Sequence, residues 1–194
     1  MLKKIKLKEI ANIQAGLLLS RKEVSPEKAA YKYKILKLKN LPLVQNINTE
    51  ELDDFFTNET IAPRYLIKPD DIIVKMSNPA YFSMLESNIN IVIPSHFSTI
   101  TVHDKNYLPE YVYFCLNQNS IKNKLGLYAE GSQILRAIKT SQIENLEIPV
   151  KNIEEQKKII NISKLFKKKD FLLKELIEKE NLLNSLISEK IIGE

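Results

Sequence analysis

The sequence predicts an α+β fold, with a mixed or antiparallel-sheet domain over residues 1–150 and one long coiled-coil-like helix over residues 151–194. Three observations predict it. Short β-type runs cluster between residues 31 and 102, helical periods lie toward the ends, and strand–helix–strand alternation is missing. After Ile148-Pro149-Val150 the chain runs to Glu194 without a proline, and without a glycine before Gly193. That last stretch is a rod rather than part of a core.

The elements follow in order. Leu7, Ile10, Ala11 and Ile13 fall on one side of a short helix over 7–13, which Gly16 stops. A polar loop covers Ser20 to Pro26. Tyr31 to Leu38 alternates Tyr, Ile and Leu with lysine, a strand pattern. Residues 41–60 read as an acidic link. Tyr65–Ile67 and Asp71–Met76 are expected as strands around the turn Lys68-Pro69-Asp70, and Asn90–Pro94 and Phe97–Val102 as two more. Pro109 to Leu125 carries a helical period through Tyr111, Phe114, Cys115, Ile121 and Leu125, with Pro109 in the first turn and Gly126 as the stop. Residues 133–138 fit either state, and Ile143–Val150 is expected as a last strand. No internal repeat is present.

The C-terminal rod has a countable stripe. With Ile159 at a, the a positions are Ile159, Phe166, Leu173, Glu180 and Ile187, and the d positions are Ile162, Lys169, Leu176, Leu183 and Lys190. Seven of these ten are apolar, which a solvated helix would not show. Leu165, Leu172, Leu182, Leu186 and Ile191 widen the stripe beyond a two-stranded seam. From Glu155 to Lys190 such a helix is about 54 Å long, more than the diameter of the remaining domain. A partner helix is the expected cover, and folding back onto its own domain is the other reading.

Composition narrows the class. The 194 residues allow one ordinary domain plus the helix, and the apolar fraction of 44% suits a folded chain. No apolar run approaches the ~18 residues of a membrane span, and the alternating N-terminus lacks a signal-peptide core. Cys115 is the only cysteine and sits in an apolar run, so an inert buried thiol and a reducing cytoplasm are expected. The net charge of +5 is uneven: residues 1–40 hold eleven Lys or Arg against three Glu, and residues 41–60 hold five acids and no base. Clustered positive charge marks a polyanion-binding face, and ordinary solvated lysine accounts for it equally well.

Catalytic patterns are incomplete. Ser77-Asn78-Pro79-Ala80-Tyr81-Phe82 comes near the Asn-Pro-Pro-Tyr/Phe loop of amino-group DNA methyltransferases, but Ala80 replaces the second proline. A methyl donor also needs a Gly-rich turn, and none of the four glycines lies within two residues of another. His96 and His103 have no companions at zinc-ligand spacing. Asp70-Asp71 and the acids of 50–54 read as solvated turns, with Asp70 capping its own. There is no Walker loop. Neither metal, cofactor nor catalytic role is expected, and binding is the default class.

Five segments in order carry a family resemblance: Leu-Lys-Glu-Ile-Ala-Asn-Ile-Gln-Ala-Gly at 7–16, Tyr-Leu-Ile-Lys-Pro-Asp-Asp-Ile-Ile-Val at 65–74, Tyr-Leu-Pro-Glu-Tyr-Val-Tyr-Phe-Cys-Leu at 107–116, Ile-Glu-Asn-Leu-Glu-Ile-Pro-Val at 143–150, and Glu-Glu-Gln-Lys-Lys-Ile at 154–159. A Ser-Asn turn follows the second, and a long helix the last. The chain resembles the DNA specificity (S) subunit of type I restriction–modification systems over nearly its whole length. Lys151-Asn152 departs from it, standing where the family commonly has a second proline pair. Length departs further: family members hold two target-recognition domains and two long helices, and this chain has one of each.

The resemblance implies a non-catalytic half-subunit that homodimerises and reads double-stranded DNA. It also implies binding of methyltransferase (M) subunits and, through them, recruitment of restriction (R) subunits. The residues expected at DNA are Ser20, Arg21, Lys22, Lys37, Lys39, Asn40, Lys75, Ser77, Asn78, Tyr81, His96, Ser132, Gln133, Arg136 and Lys139. Ile159, Ile162, Phe166, Leu173, Leu176, Leu183 and Ile187 would form the dimer helix. Two alternatives remain: a head-and-stalk interaction protein without DNA binding, and an orphan half-subunit that competes for M and inhibits the native enzyme.

Overall fold

A computed structural model describes residues 3–19, 22–40, 52–77, 80–84, 90–129 and 137–193. The chain divides into two units, residues 1–153 and 154–194. Among the described residues the first unit carries three sheets, and the second is a single helix.

The chain opens with β1 (Lys4–Lys6), α1 (Leu7–Ile10) and β2 (Ala11–Ala15). The helix expected over 7–13 is therefore a single turn. Leu7 and Ile10 bury its apolar side, and from Ala11 the backbone is taken up by antiparallel pairing with β8 (Phe97–Val102), in the register Ile13↔Ile100. Sheet pairing outweighs helical period because one turn contributes few internal hydrogen bonds. Gly16 stops no helix; it lies at a close backbone crossing after β2.

β8 is the centre of a four-stranded sheet, ordered β2-β8-β5-β6, with β5 (Ile72–Lys75) and β6 (Phe82–Met84). Ile72, Ile73 and Val74 are all buried, which explains an unbroken apolar run in place of alternation. A three-stranded sheet, β4-β3-β7, joins β3 (Tyr31–Ile35), β4 (Asp53–Thr57) and β7 (Ile91–Val92). β3 pairs antiparallel with β4 and parallel with β7, making this sheet mixed. Part of the expected acidic link is thus the strand β4. Tyr65–Ile67 forms no strand: a 3-10 turn over Pro63–Tyr65 precedes an isolated bridge from Leu66 to Val92.

Apolar packing covers both faces of the mixed sheet. Ile35 and its register partner Val92 belong to a cluster with Leu17, Phe55 and Ile61. Leu36, the residue after β3, and Ile91, the first of β7, belong to another with Ile73 and Phe97 of the larger sheet. That second cluster ties the two sheets together.

The expected single helix over 109–125 is two, α2 (Pro109–Leu116) and α3 (Asn119–Ala129). Asn117 breaks it by turning its side-chain amide back to the Tyr113 carbonyl, 3.2 Å away. Gly126 lies inside α3 and ends nothing. Of the expected strand at 143–150, the first part is α4 (Thr140–Glu144) and only β9 (Glu147–Pro149) is extended. β9 pairs with β1, and the Tyr111 hydroxyl donates to the Pro149 carbonyl at 2.9 Å, fixing α2 over that ribbon.

The last helix, α5 (Ile153–Ile192), has 40 residues and a length of about 60 Å. Its expected seam residues Ile162, Phe166, Leu173, Leu176, Leu183 and Ile187 are 47–58% exposed. Leu165, Leu172 and Leu186 at g and Ile177 and Ile191 at e are exposed too, so the apolar face is broader than a/d alone. Among the described residues no helix is long and apolar enough to cross a membrane.

Candidate nucleic-acid interface

Those of the residues expected at DNA that are described fall into two groups, held by different strands. One is the β3–β4 ribbon and the turn after it. Side chains alternate along a strand, so Lys32 and Lys34 share a face of β3, and Asp54 and Phe56 share the facing positions of β4. The register Lys34↔Asp54 and Lys32↔Phe56 makes contact unavoidable. Lys34 Nζ lies 2.9 Å from Asp54 Oδ1, and Lys32 Nζ reaches diagonally to Oδ2 at 3.0 Å. Lys34 also donates to the Leu52 carbonyl, and Lys32 sits 5.5 Å from the Phe56 ring centre.

The chain then turns through a 3-10 segment, Leu38–Asn40, which brings Lys37 and Lys39 to Asp53 at 2.8 and 2.9 Å, one on each carboxylate oxygen. The two lysines lower the Asp53 pKa to about 2, and Lys34 and Lys32 likewise hold the Asp54 carboxyl below its ordinary value. Asn40 is 7% exposed, and its Oδ1 accepts from the Lys37 amide at 2.9 Å, so it serves the turn. Lys22 is ion-paired with Glu59. The cations expected here for phosphate are therefore already opposed by carboxylates within the same fold. Asp53 and Asp54 belong to a strand, not to a solvated turn. The Tyr-Lys-Tyr-Lys alternation of β3 was legible in sequence, but Asp53-Asp54-Phe55-Phe56 does not alternate and gave no signal of the pairing.

The second group converges on Met76, at the end of β5. The Met76 amide donates to the His96 carbonyl at 2.9 Å, and its own carbonyl accepts from the Ile138 amide at 2.9 Å. Ser77 bridges to Ala137, and the Lys75 amide donates to the Tyr81 carbonyl at 3.0 Å. Three stretches distant in sequence, 75–77 with Tyr81, 95–96 and 137–139, thus meet at one strand end. Lys75 Nζ lies 5.2 Å from the Tyr81 ring centre, a cation–π contact. The exposed His96 ring leans on buried Phe97 with centroids 4.4 Å apart, and desolvation lowers its pKa below the ordinary value. Lys139 is exposed, and its amide donates to Gln142 Oε1 at the start of α4. A cation on an aromatic face, a hydroxyl, an imidazole and a second cation form a surface suited to stacking and hydrogen bonding. Ser20, Arg21, Asn78, Ser132, Gln133 and Arg136 lie outside the described residues.

Other reactive groups are committed to structure. Asp71 is 2% exposed and accepts from the Lys68 amide at 2.9 Å and the Thr101 hydroxyl at 2.5 Å. Burial raises its pKa. The turn expected to rest on Asp70 is thus held by Asp71, while Asp70 supplies the left-handed backbone with φ +65°. Burial pushes the Cys115 thiol up to about 11, which removes it as a nucleophile. Among the described residues no group of three or more His, Cys, Asp or Glu is placed to hold a metal ion.

No family model and no curated protein matches the chain in sequence. Solved structures do match its fold. The HsdS subunit from Thermoanaerobacter tengcongensis superposes with a TM-score of 0.60 at 14% identity, covering 90% of this chain and 39% of that one. The S subunit of a type I restriction–modification system from M. genitalium gives 0.57 at 19%, covering 92% and 42%. A structure describing complex assembly and conformational transition of the type I R-M system gives 0.63 at 16%, covering 95% and 43%. The fold is that of the S-subunit type. This chain spans about two fifths of the length of those proteins. A fourth likeness, at 0.54 and 10% identity, is to the type IIG restriction endonuclease BpuSI, of which 26% is covered.

Proposed function

We propose that this chain is a non-catalytic specificity subunit that recognises double-stranded DNA for a type I restriction–modification system. It acts as a half-subunit: it homodimerises through α5, reads a bipartite palindromic site and positions the methyltransferase subunits there. The observation that carries this reading is the fold. Three S-subunit-type structures cover 90–95% of this chain while it covers 39–43% of theirs, the proportions expected of one recognition domain with one long helix. The cluster around Met76 supplies a recognition surface, with Lys75 and Lys139 toward phosphates and Ser77, Tyr81 and His96 toward base edges. The exposed stripe of α5 supplies the dimer contact.

Methylome sequencing of cells that carry the chain together with its M subunit tests the proposal. The expected result is one new methylated motif, made of two inverted copies of a short half-site around an unread spacer. Absence of any chain-dependent motif would refute a DNA-specificity role.

A further inference from the structure

Four lysines of β3 and the turn after it are opposed by two aspartates of β4, each carboxylate shared between two cations at 2.8–3.0 Å. The formal charge of these six residues is +2, where the lysines alone would give +4. The arrangement is set by strand register and by the turn at Leu38–Asn40, not by chance surface meetings. In three of the four pairs the lysine is exposed, and such pairs contribute little to stability, so stability gives a weak reason for placing both acids here. Their effect on polyanions is larger. Each lysine that binds a phosphate displaces condensed counterions and strengthens attraction to any duplex, whatever its sequence. A lysine that already has a carboxylate partner exchanges one anion for another and gains little.

We propose that Asp53 and Asp54 are specificity-determining residues, acting as built-in counterions that withhold Lys32, Lys34, Lys37 and Lys39 from DNA phosphates. The inference rests on the DNA-recognition reading above and deepens it. Sequence discrimination is the difference between specific and non-specific affinity, and masking cations that read no base lowers the second more than the first. Lys75 and Lys139, beside Tyr81, Ser77 and His96, then carry the phosphate contacts that accompany base reading. The lowered pKa of Asp53, about 2, keeps this carboxylate charged throughout the physiological range.

The test uses the full chain and a 30-base-pair duplex of arbitrary sequence, with affinity measured across a salt series. Asp53→Asn with Asp54→Asn is expected to tighten binding by about tenfold or more near 0.1 M salt, and to steepen the log–log salt slope by about two to four. Adding Lys37→Gln and Lys39→Gln to that variant should reverse much of the gain. An unchanged slope in the folded double Asn variant would overturn the proposal. Should that variant fail to fold, two charge-matched pairs decide the matter. Lys37→Gln with Lys39→Gln is expected to weaken non-specific binding less than about threefold, and Lys75→Gln with Lys139→Gln more than about tenfold. Equal losses would overturn it. Failure of the DNA reading itself looks different: no chain-dependent motif in the methylome, whatever the slopes.

Discussion

The Cβ that Gly16 lacks would fall 2.1 Å from the carbonyl oxygen of Pro94. The backbones cross here because the Gly16 amide donates to the Phe97 carbonyl at 3.0 Å and the Leu17 amide to the Ile93 carbonyl at 2.6 Å. A methyl group would also meet the Pro94 carbonyl carbon at 2.5 Å, and neither atom is the end of a flexible side chain. Gly16→Ala must therefore separate β2 from the 93–97 segment. A loss of about 1–3 kcal/mol or more is expected, read as a lower urea midpoint with an unchanged slope. An unshifted midpoint would refute the tight crossing.

Asp71 offers a second stability test. Its buried carboxylate joins the Lys68 turn to Thr101 on β8, and its pKa is raised above 3.8 by desolvation. The folded state thus holds this proton more firmly than the unfolded one, so the contribution to stability falls as pH rises from 3.8 through the folded value. Asp71→Asn can keep both hydrogen bonds and should flatten that dependence. Asp71→Ala strands two donors and should cost about 1–3 kcal/mol by chemical denaturation at pH 7.

His96 gives the opposite sign. Desolvation lowers its pKa below 6.5, so the unfolded state binds the proton more readily. Stability from this group is complete above pH 6.5 and declines as pH falls from there through the folded pKa. His96→Gln should remove that decline, measured as thermal midpoint between pH 7.5 and 5. A slope equal to that of the parent would assign the pH response to other groups.

How far the sequence carried the fold depends on the range of the deciding contact. β5 and β8 were legible because their own composition and flanking turns specify them. The helix at 7–13 was not, since pairing with a strand some ninety residues away overrides a local period of one turn. The site divides in the same way. Lys75, Ser77, Tyr81, His96 and Lys139 were each named from local chemistry, but their meeting at Met76 depends on hydrogen bonds between distant segments. Asp53 and Asp54 were read as solvent-facing because nothing nearby in sequence shows that Lys32 to Lys39 would lie across from them.

The cluster at Met76 predicts an asymmetry among lysines. Lys75→Ala and Lys139→Ala should each weaken binding to the recognised duplex and reduce its salt slope by about one. Tyr81→Ala removes a stacking face and should lower specific affinity while leaving the salt slope nearly unchanged. Fluorescence anisotropy with M subunit present would register both effects. A slope altered by Tyr81→Ala, or unaltered by the lysine variants, would move the interface elsewhere on the domain.

The final prediction concerns α5. Ile162, Phe166, Leu173, Leu176, Leu183 and Ile187 are about half exposed along some seven turns, a larger apolar surface than monomers usually leave in water. In the proposed dimer a second copy of the same helix, antiparallel by two-fold symmetry, would cover each of these residues with its own equivalents. The pair would hold two identical recognition domains apart, so half-site centres are expected on the order of 10–15 base pairs from each other. Leu176→Glu with Leu183→Glu places four carboxylates in that seam and should yield folded monomers that no longer direct methylation. Light scattering at micromolar concentration with M subunit present distinguishes the outcomes. A monomer in the parent chain would refute the dimer, as would a methylated motif whose two halves are unrelated in sequence.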